Sequence, residues 1–256
     1  MSSKQFFNQS YRWVFLLGSS SLAACHSLPT ARSAPEQIFR RGRKLVYQAA
    51  HQAPGSSRVR LDTLAITCLD KYKPSQPEVP ANFKADTTQR ELGWSYSATA
   101  APNTFSGVLE NDTVLWSHPP RDGDYAVLEL SPYPYIKLPA ITGRQWQWDL
   151  IVGDSWSRRW ATWQGLITVS SYYRTVGQRT LDSHFGPLTC WLVEANSTCP
   201  KGTSTLETWY HPTYGFVRLR YRTIDGGHLT LTLIKDYDNV LQAEAYLPHS
   251  LQLRPN

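Results

Sequence analysis

The chain has 256 residues, a formal net charge of +6 at pH 7 and 41% hydrophobic residues, with ten Trp and fourteen Tyr among them. That length bounds it to one domain or two small ones, and that composition excludes a disordered chain. The modest charge has no concentrated basic face of the kind that nucleic-acid binding needs, and the wealth of aromatic residues favours pleated, half-buried surfaces, that is, β structure.

Residues 1–12 are polar and carry Lys4 and Arg12 without an acid. Residues 13–17, Trp-Val-Phe-Leu-Leu, begin an apolar run that Gly18 and Ser19–Ser21 weaken before Leu22-Ala23-Ala24-Cys25. The run falls well short of the roughly 20 apolar residues that span a bilayer, so residues 1–24 read as a signal peptide. Leu22-Ala23-Ala24-Cys25 resembles the lipobox of bacterial lipoproteins. The resemblance implies cleavage between Ala24 and Cys25, diacylglycerol on the Cys25 thiol and acylation of the new amine. Small residues let a peptidase approach the bond, and only a thiolate forms the thioether. One acyl chain holds a protein marginally, whereas two or three anchor it stably. The implied partner is a membrane, reached through lipid on Cys25. By the same resemblance, His26 rather than Asp after Cys25 favours the outer membrane, and the lack of an acidic run favours its periplasmic face.

Residues 26–36, rich in Ser, Pro, Ala and Thr, read as a tether. In residues 36–52, Pro35 suits a first helical turn, and Ile38, Leu45 and Ala49 fall close to helical spacing, although Gly42 weakens a helix. Arg40, Arg41, Arg43 and Lys44 make this the most basic stretch, either a contact for anionic lipid heads or a solvated helix face. Residues 25–57 are thus expected to form a lipidated N-terminus, a tether and one short basic helix.

From residue 58 a two-residue period takes over. Leu92, Trp94, Tyr96 and Ala98 alternate with polar or small residues, as do Trp146, Trp148, Leu150 and Val152. Residues 108–115 read as a hairpin turning near Asn111-Asp112. In 215–224 and 228–236, Val217, Leu219 and Tyr221 share one face, Asp225-Gly226-Gly227 turns, and Leu229, Leu231 and Leu233 return. Residues 73–90 read as a long loop, and Pro119-Pro120, Pro132, Pro134 and Pro139 mark loops and edges. Strands without intervening helices predict a single all-β domain over 58–256, a curled antiparallel sheet or open half-barrel.

Cys190 and Cys199 flank a turn-like stretch, and in an oxidising periplasm their spacing suggests a disulfide. Pairing of either with Cys68 is the alternative, and Cys68 otherwise reads as a small buried hydrophobe. No Cys or His spacing indicates a metal, no cofactor motif is found, and no catalytic residue is assigned. His211, in Trp209-Tyr210-His211-Pro212, reads as a turn residue packed among aromatics. The pairs Asp122/Asp124 and Asp149/Asp154 are the acids from which a sugar-cleaving couple could be drawn. Trp146, Trp148, Trp156, Trp160 and Trp163 read mainly as sheet core, with Trp146 and Trp148 as candidate ligand-facing positions. Arg218, Arg220 and Arg222 share one strand face, which is an anion site if concave and a solvated face if convex.

His118-Pro119-Pro120-Arg121, Pro132-Tyr133-Pro134-Tyr135-Ile136-Lys137, the Trp146-to-Trp163 run, Gly186-Pro187-Leu188-Thr189-Cys190 and Tyr214-Gly215-Phe216-Val217-Arg218 resemble a family of uncharacterised bacterial lipoproteins. The resemblance spans 116–236 and implies no activity. A lipid-anchored curled sheet is similar, by fold analogy, to the unclosed barrels that carry lipids or lipoproteins across the periplasm. The expectation is a non-catalytic envelope protein that binds a hydrophobic or lipid-like ligand or supports envelope maintenance. A carrier predicts an interior cavity lined by Trp and Leu. A structural docking subunit of an outer-membrane assembly predicts a filled core and an exposed aromatic patch. A glycan hydrolase predicts two carboxylates facing each other across a cleft.

Overall fold

The computed structural model describes residues 37–71, 89–158 and 160–238. Ala24 and Cys25 lie outside them, as do the expected tether and nearly all of the expected loop at 73–90. The strands are β1 (Lys44–Gln52), β2 (Val59–Lys71), β3 (Arg90–Ser95), β4 (Thr104–Asn111), β5 (Val114–Ser117), β6 (Tyr135–Lys137), β7 (Gln145–Gly153), β8 (Leu166–Ser183), β9 (Gly186–Cys199), β10 (Gly202–His211), β11 (Gly215–Arg222) and β12 (His228–Tyr237). They form one twelve-stranded sheet in the order β6-β5-β4-β3-β2-β1-β12-β11-β10-β9-β8-β7. Every ladder between neighbours is antiparallel. Two six-stranded meanders are thus fused where β1 pairs with β12.

The alternation that marks strands in the sequence is the alternation of burial. Leu229, Leu231 and Leu233 on β12 are buried beside Leu219 and Tyr221 on β11, with Leu219 opposite Leu231 and Tyr221 opposite Leu229. The β4–β5 turn falls at Asp112-Thr113, where Asn111 Oδ1 accepts the Thr113 and Val114 N–H groups at 2.9 and 3.0 Å. Such an Asx turn is a hydrogen-bonded local alternative to extended backbone.

Residues 44–52, whose spacing fits a short basic helix, are instead the central strand β1, paired with β2 on one side and β12 on the other. Leu45 and Ala49 are four residues apart, a separation that satisfies a helix face and a strand face alike, and buried Tyr47 between them decides for the strand. The domain therefore begins before β1, not at residue 58. The basic stretch has a structural use as well. Arg43, only 2% exposed, donates Nη1 to the Ile38 carbonyl and Nη2 to the Thr213 carbonyl, both at 2.9 Å. Arg40 forms an ion pair with Asp238.

The expected Cys190–Cys199 disulfide is absent; both thiols are free, as is Cys68. Cys190 and Cys199 lie on the same strand, β9. Nine residues of extended chain separate them by about 30 Å, far beyond the span of about 7 Å that a disulfide can bridge. The stretch between them, read as a turn from Glu194 to Thr198, is extended and paired on both sides.

The concave side is filled by the protein's own chain. Along the inner faces of β8, β9 and β10 run Ser171, Ser197 and Ser204, mutually paired in register and all buried. These small side chains leave a furrow, and into it packs the connection between β5 and β6, with its 3-10 helix Gly123–Leu130. Ser204 Oγ donates to the Leu130 carbonyl at 2.9 Å, and Tyr173 Oη to the Tyr133 carbonyl at 3.2 Å. Leu128, Leu130 and Tyr133 are buried at 2% exposure or less. Within this connection His118 Nδ1 donates to the Pro119 carbonyl at 2.7 Å, while Nε2 lies 2.9 Å from Tyr133 Oη and 3.3 Å from Glu129 Oε2.

No ladder joins β6 to β7 among the described residues, yet aromatic rings bridge the two edges. Tyr135 on β6 meets Trp146 on β7 edge-on at 5.4 Å, and Trp146 stacks on Tyr173 at 5.2 Å. The result is a half-barrel curled around its own insert.

Candidate functional site

Trp146 and Trp148 lie on the inner face of β7, but their rings are taken up by the protein itself. Trp148 packs on Tyr133 at 5.1 Å and Trp116 at 5.7 Å, and Trp146 sits between Tyr135 and Tyr173. Their role is core packing. Arg218, Arg220 and Arg222 alternate with the buried Val217, Leu219 and Tyr221, so they stand on the outer face. Arg220 pairs there with Glu207 at 3.1 Å. The two candidate ligand-facing groups are therefore on opposite sides of the sheet, and the concave anion site is not formed. Among the described residues the β5–β6 connection, rather than a cavity walled by Trp and Leu, lies against the inner faces of β8 and β10.

A cleft opens instead at one end of the half-barrel, where the β1–β2 turn, the β11–β12 turn and the start of the 3-10 helix come together. It has two arms, of about 880 Å³ and about 350 Å³, and both are lined by Arg60, Gly123 and Asp124. The larger arm has Val127, Trp160 and Leu229 among its apolar walls and His51, Arg58 and Asp225 among its polar ones. The smaller arm is polar and aromatic, with Asp62, Tyr96, Asn103, Asp122 and Tyr125.

Strand register builds this site. Tyr221, Leu229, His51 and Arg60 lie side by side across β11, β12, β1 and β2 on the inner face. The row passes from buried apolar to charged as it leaves the core. Next to it, Ala49 is opposite Asp62. The hydroxyl of Tyr125 shares a 3.1 Å hydrogen bond with His51 Nε2, and the two rings meet edge-on at 5.0 Å. Tyr96 packs against Tyr125 at 5.5 Å, and its hydroxyl accepts the Asp122 N–H at 3.1 Å. Arg60 Nη2 lies 2.5 Å from Asp124 Oδ2 and 4.0 Å from Asp62 Oδ2. Burial, and then the Arg60 guanidinium, hold the His51 imidazole below its ordinary value, so it is neutral at pH 7. Burial, aided by Asp62, keeps the Tyr125 phenol protonated.

Of the acids singled out in the sequence, Asp122 and Asp124 reach this cleft. Asp149 is fully exposed and accepts from Gln147, and Asp154 Oδ2 caps the Gly165 N–H at 2.8 Å. Asp62 and Asp124 both face the guanidinium of Arg60, at 4.0 and 2.5 Å. That pair is closed on a cation rather than open toward a bond to be cleaved. No group of His, Cys, Asp or Glu among the described residues is arranged to hold a metal. His51, Arg60, Asp62, Tyr96 and Tyr125 carry no motif in the sequence. Only strand alternation, had the register of β1 against β2 been known, would have placed His51 beside Arg60.

Fold and site together define an all-β, curled antiparallel half-barrel with a mixed apolar and polar cleft at its open end. No family model and no curated protein matches the chain. Among solved structures it is similar to a candidate exported protein of YmcC-like fold from Bacteroides fragilis, at 12% identity and a TM-score of 0.46, covering 78% of this chain and 97% of that one. It is similar to a candidate lipoprotein from Parabacteroides distasonis at 11% identity and a TM-score of 0.47, covering 78% and 98%. The hypothetical lipoprotein YmcC of Escherichia coli matches at 12% identity and a TM-score of 0.34, covering 78% and 90%.

Proposed function

We propose that the protein is a lipid-anchored, non-catalytic component of the cell envelope, on the periplasmic face of the outer membrane, that holds an amphiphilic ligand in the end cleft. The observation that carries the ligand reading is the larger arm. Its volume of about 880 Å³ lies within the usual range of small-molecule sites, and it combines apolar walls with a few convergent polar groups. The anchor rests on the lipobox-like Leu22-Ala23-Ala24-Cys25 alone. Membrane attachment would hold the cleft where amphiphiles are concentrated.

The full lipidated chain, purified from envelope membranes and released into native mass spectrometry, is expected to carry a small amphiphile. The Ser56→Trp variant, with an indole at the mouth, is expected to lose it. Clean spectra for the unaltered chain overturn the ligand reading. Labelled palmitate is expected to mark the chain but not its Cys25→Ser variant, and an unmarked chain overturns the anchor.

A second reading, a structural docking subunit, is favoured by the packed concave side and by Ile151 and Leu166, which are 66% and 74% exposed on the outer face of the β7–β8 hairpin. Crosslinkers placed at those two positions in cells would capture one dominant envelope partner if it holds.

A further inference from the structure

We infer that the smaller arm selects the head group of the amphiphile, accepting a hydroxyl-rich, non-anionic head such as a glycosyl group and rejecting phosphate. This rests on the amphiphile reading above and gives it a chemical class.

Because the arms share Arg60, Gly123 and Asp124, a ligand with two unlike ends can occupy both. Val127, Trp160 and Leu229 offer apolar surface only in the larger arm. Among the described residues that line the smaller arm, the large apolar surfaces are the rings of Tyr96 and Tyr125, tilted by 37° at 5.5 Å. An acyl chain therefore belongs in the larger arm and a head group in the smaller.

Charge decides the kind of head. The larger arm balances Arg58 and Arg60 against Asp124 and Asp225. The smaller sets Asp62, Asp122 and Asp124 against Arg60 alone. That guanidinium donates to Asp124 at 2.5 Å and lies 4.0 Å from Asp62, so its single positive charge is already offset by carboxylates. A phosphate entering here meets three carboxylates balanced by one guanidinium, and such like-charge contacts are strongly unfavourable. Carboxylates accept hydrogen bonds and donate none, so they are matched by ligands rich in O–H donors. Bonds from hydroxyls to carboxylates are charge-assisted and short. Asn103 adds an amide with both donors and acceptors, and the Tyr rings present apolar edges and faces to the C–H surface of a sugar ring.

The test uses the full lipidated chain in amphipol and three probes of equal chain length, each below its micellar concentration: octyl glucoside, octyl phosphate and octyl tetraethylene glycol ether. Octyl glucoside is expected to bind tightest, by about ten-fold or more over octyl phosphate, a gap of about 1.4 kcal/mol. In the Asp62→Asn, Asp124→Asn double variant the gap is expected to close. If the three probes bind equally, head-group selection is overturned while the amphiphile reading stands. If octyl phosphate binds tightest, selection by these carboxylates is overturned in the same way. If none binds, both readings fall. Both acids are more than one-third exposed, so the fold does not depend on them, and discrimination by the unaltered chain decides the matter even if the variant is poorly made.

Discussion

The guanidinium of Arg43 grips both oxygens of Asp236, with Nε 2.9 Å from Oδ1 and Nη2 2.5 Å from Oδ2. Arg43 precedes β1 and Asp236 lies near the end of β12, so this fork clamps the seam where the two meanders are fused. Arg43→Ala leaves a largely buried carboxylate and two carbonyls without partners and is expected to cost about 3–5 kcal/mol. Arg43→Lys recovers little of this, because an ammonium cannot reproduce the two-pronged geometry. Urea unfolding midpoints check both.

Burial pushes the Glu129 carboxyl up, but the hydrogen bond and charge of His118 prevail and hold it below its ordinary value. A depressed carboxyl contributes stability above its unfolded value, near 4.5, and loses it as pH falls through the lower folded value. Thermal unfolding followed from pH 7 downward should therefore show an acid decline that Glu129→Gln flattens. An unchanged acid limb in the variant would show that His118 does not hold the charge.

The serine row makes room for the insert. Ser204→Ala removes one bond to the Leu130 carbonyl and is expected to cost about 1 kcal/mol. Ser197→Leu drives a branched side chain into the furrow, and overpacking of that kind costs about 1–3 kcal/mol. Hydrogen exchange should locate the loosened segment at residues 123–134 rather than in the sheet ladders.

Gly215, at φ 74°, begins β11, and a Cβ there would stand 2.6 Å from Ile38 Cγ2. Gly215→Ala meets both the left-handed backbone penalty of about 1–2 kcal/mol and a clash with a buried residue. A lowered melting temperature is expected, larger than that of Gly226→Ala, where φ is also positive but the space is open.

Burial raises the Cys68 thiol to about 12 and the Cys190 thiol to about 11. Maleimide at neutral pH should therefore label half-buried Cys199 in the native protein and reach the other two only on unfolding. Non-reducing electrophoresis should show no intramolecular crosslink. A crosslinked Cys190–Cys199 species would contradict the extended course of β9.

The two ends of the sheet were unequally legible. In β10, β12 and the second half of β11 buried and more exposed residues alternate, because one face of each strand meets the core and the other meets water, and both the β11–β12 hairpin and its turn follow from that pattern. Near β1 the pattern blurs. Val46 is buried at 1% exposure along with Leu45 and Tyr47, and three consecutive buried residues have no strand period.

By itself the sequence determined the class of fold, since a two-residue period without long helical stretches admits only sheet. It also contains Leu22-Ala23-Ala24-Cys25, whose likeness to a lipobox is a local pattern that needs no folding to be read. Only the tertiary structure decided that β1 lies at the centre of the sheet, that the β5–β6 connection fills the concave side, and that the cleft sits at the open end. The reason is register. Which residues stand side by side on neighbouring strands depends on pairings between segments far apart in the chain, so the row Leu229, His51 and Arg60 exists only after β12, β1 and β2 have met.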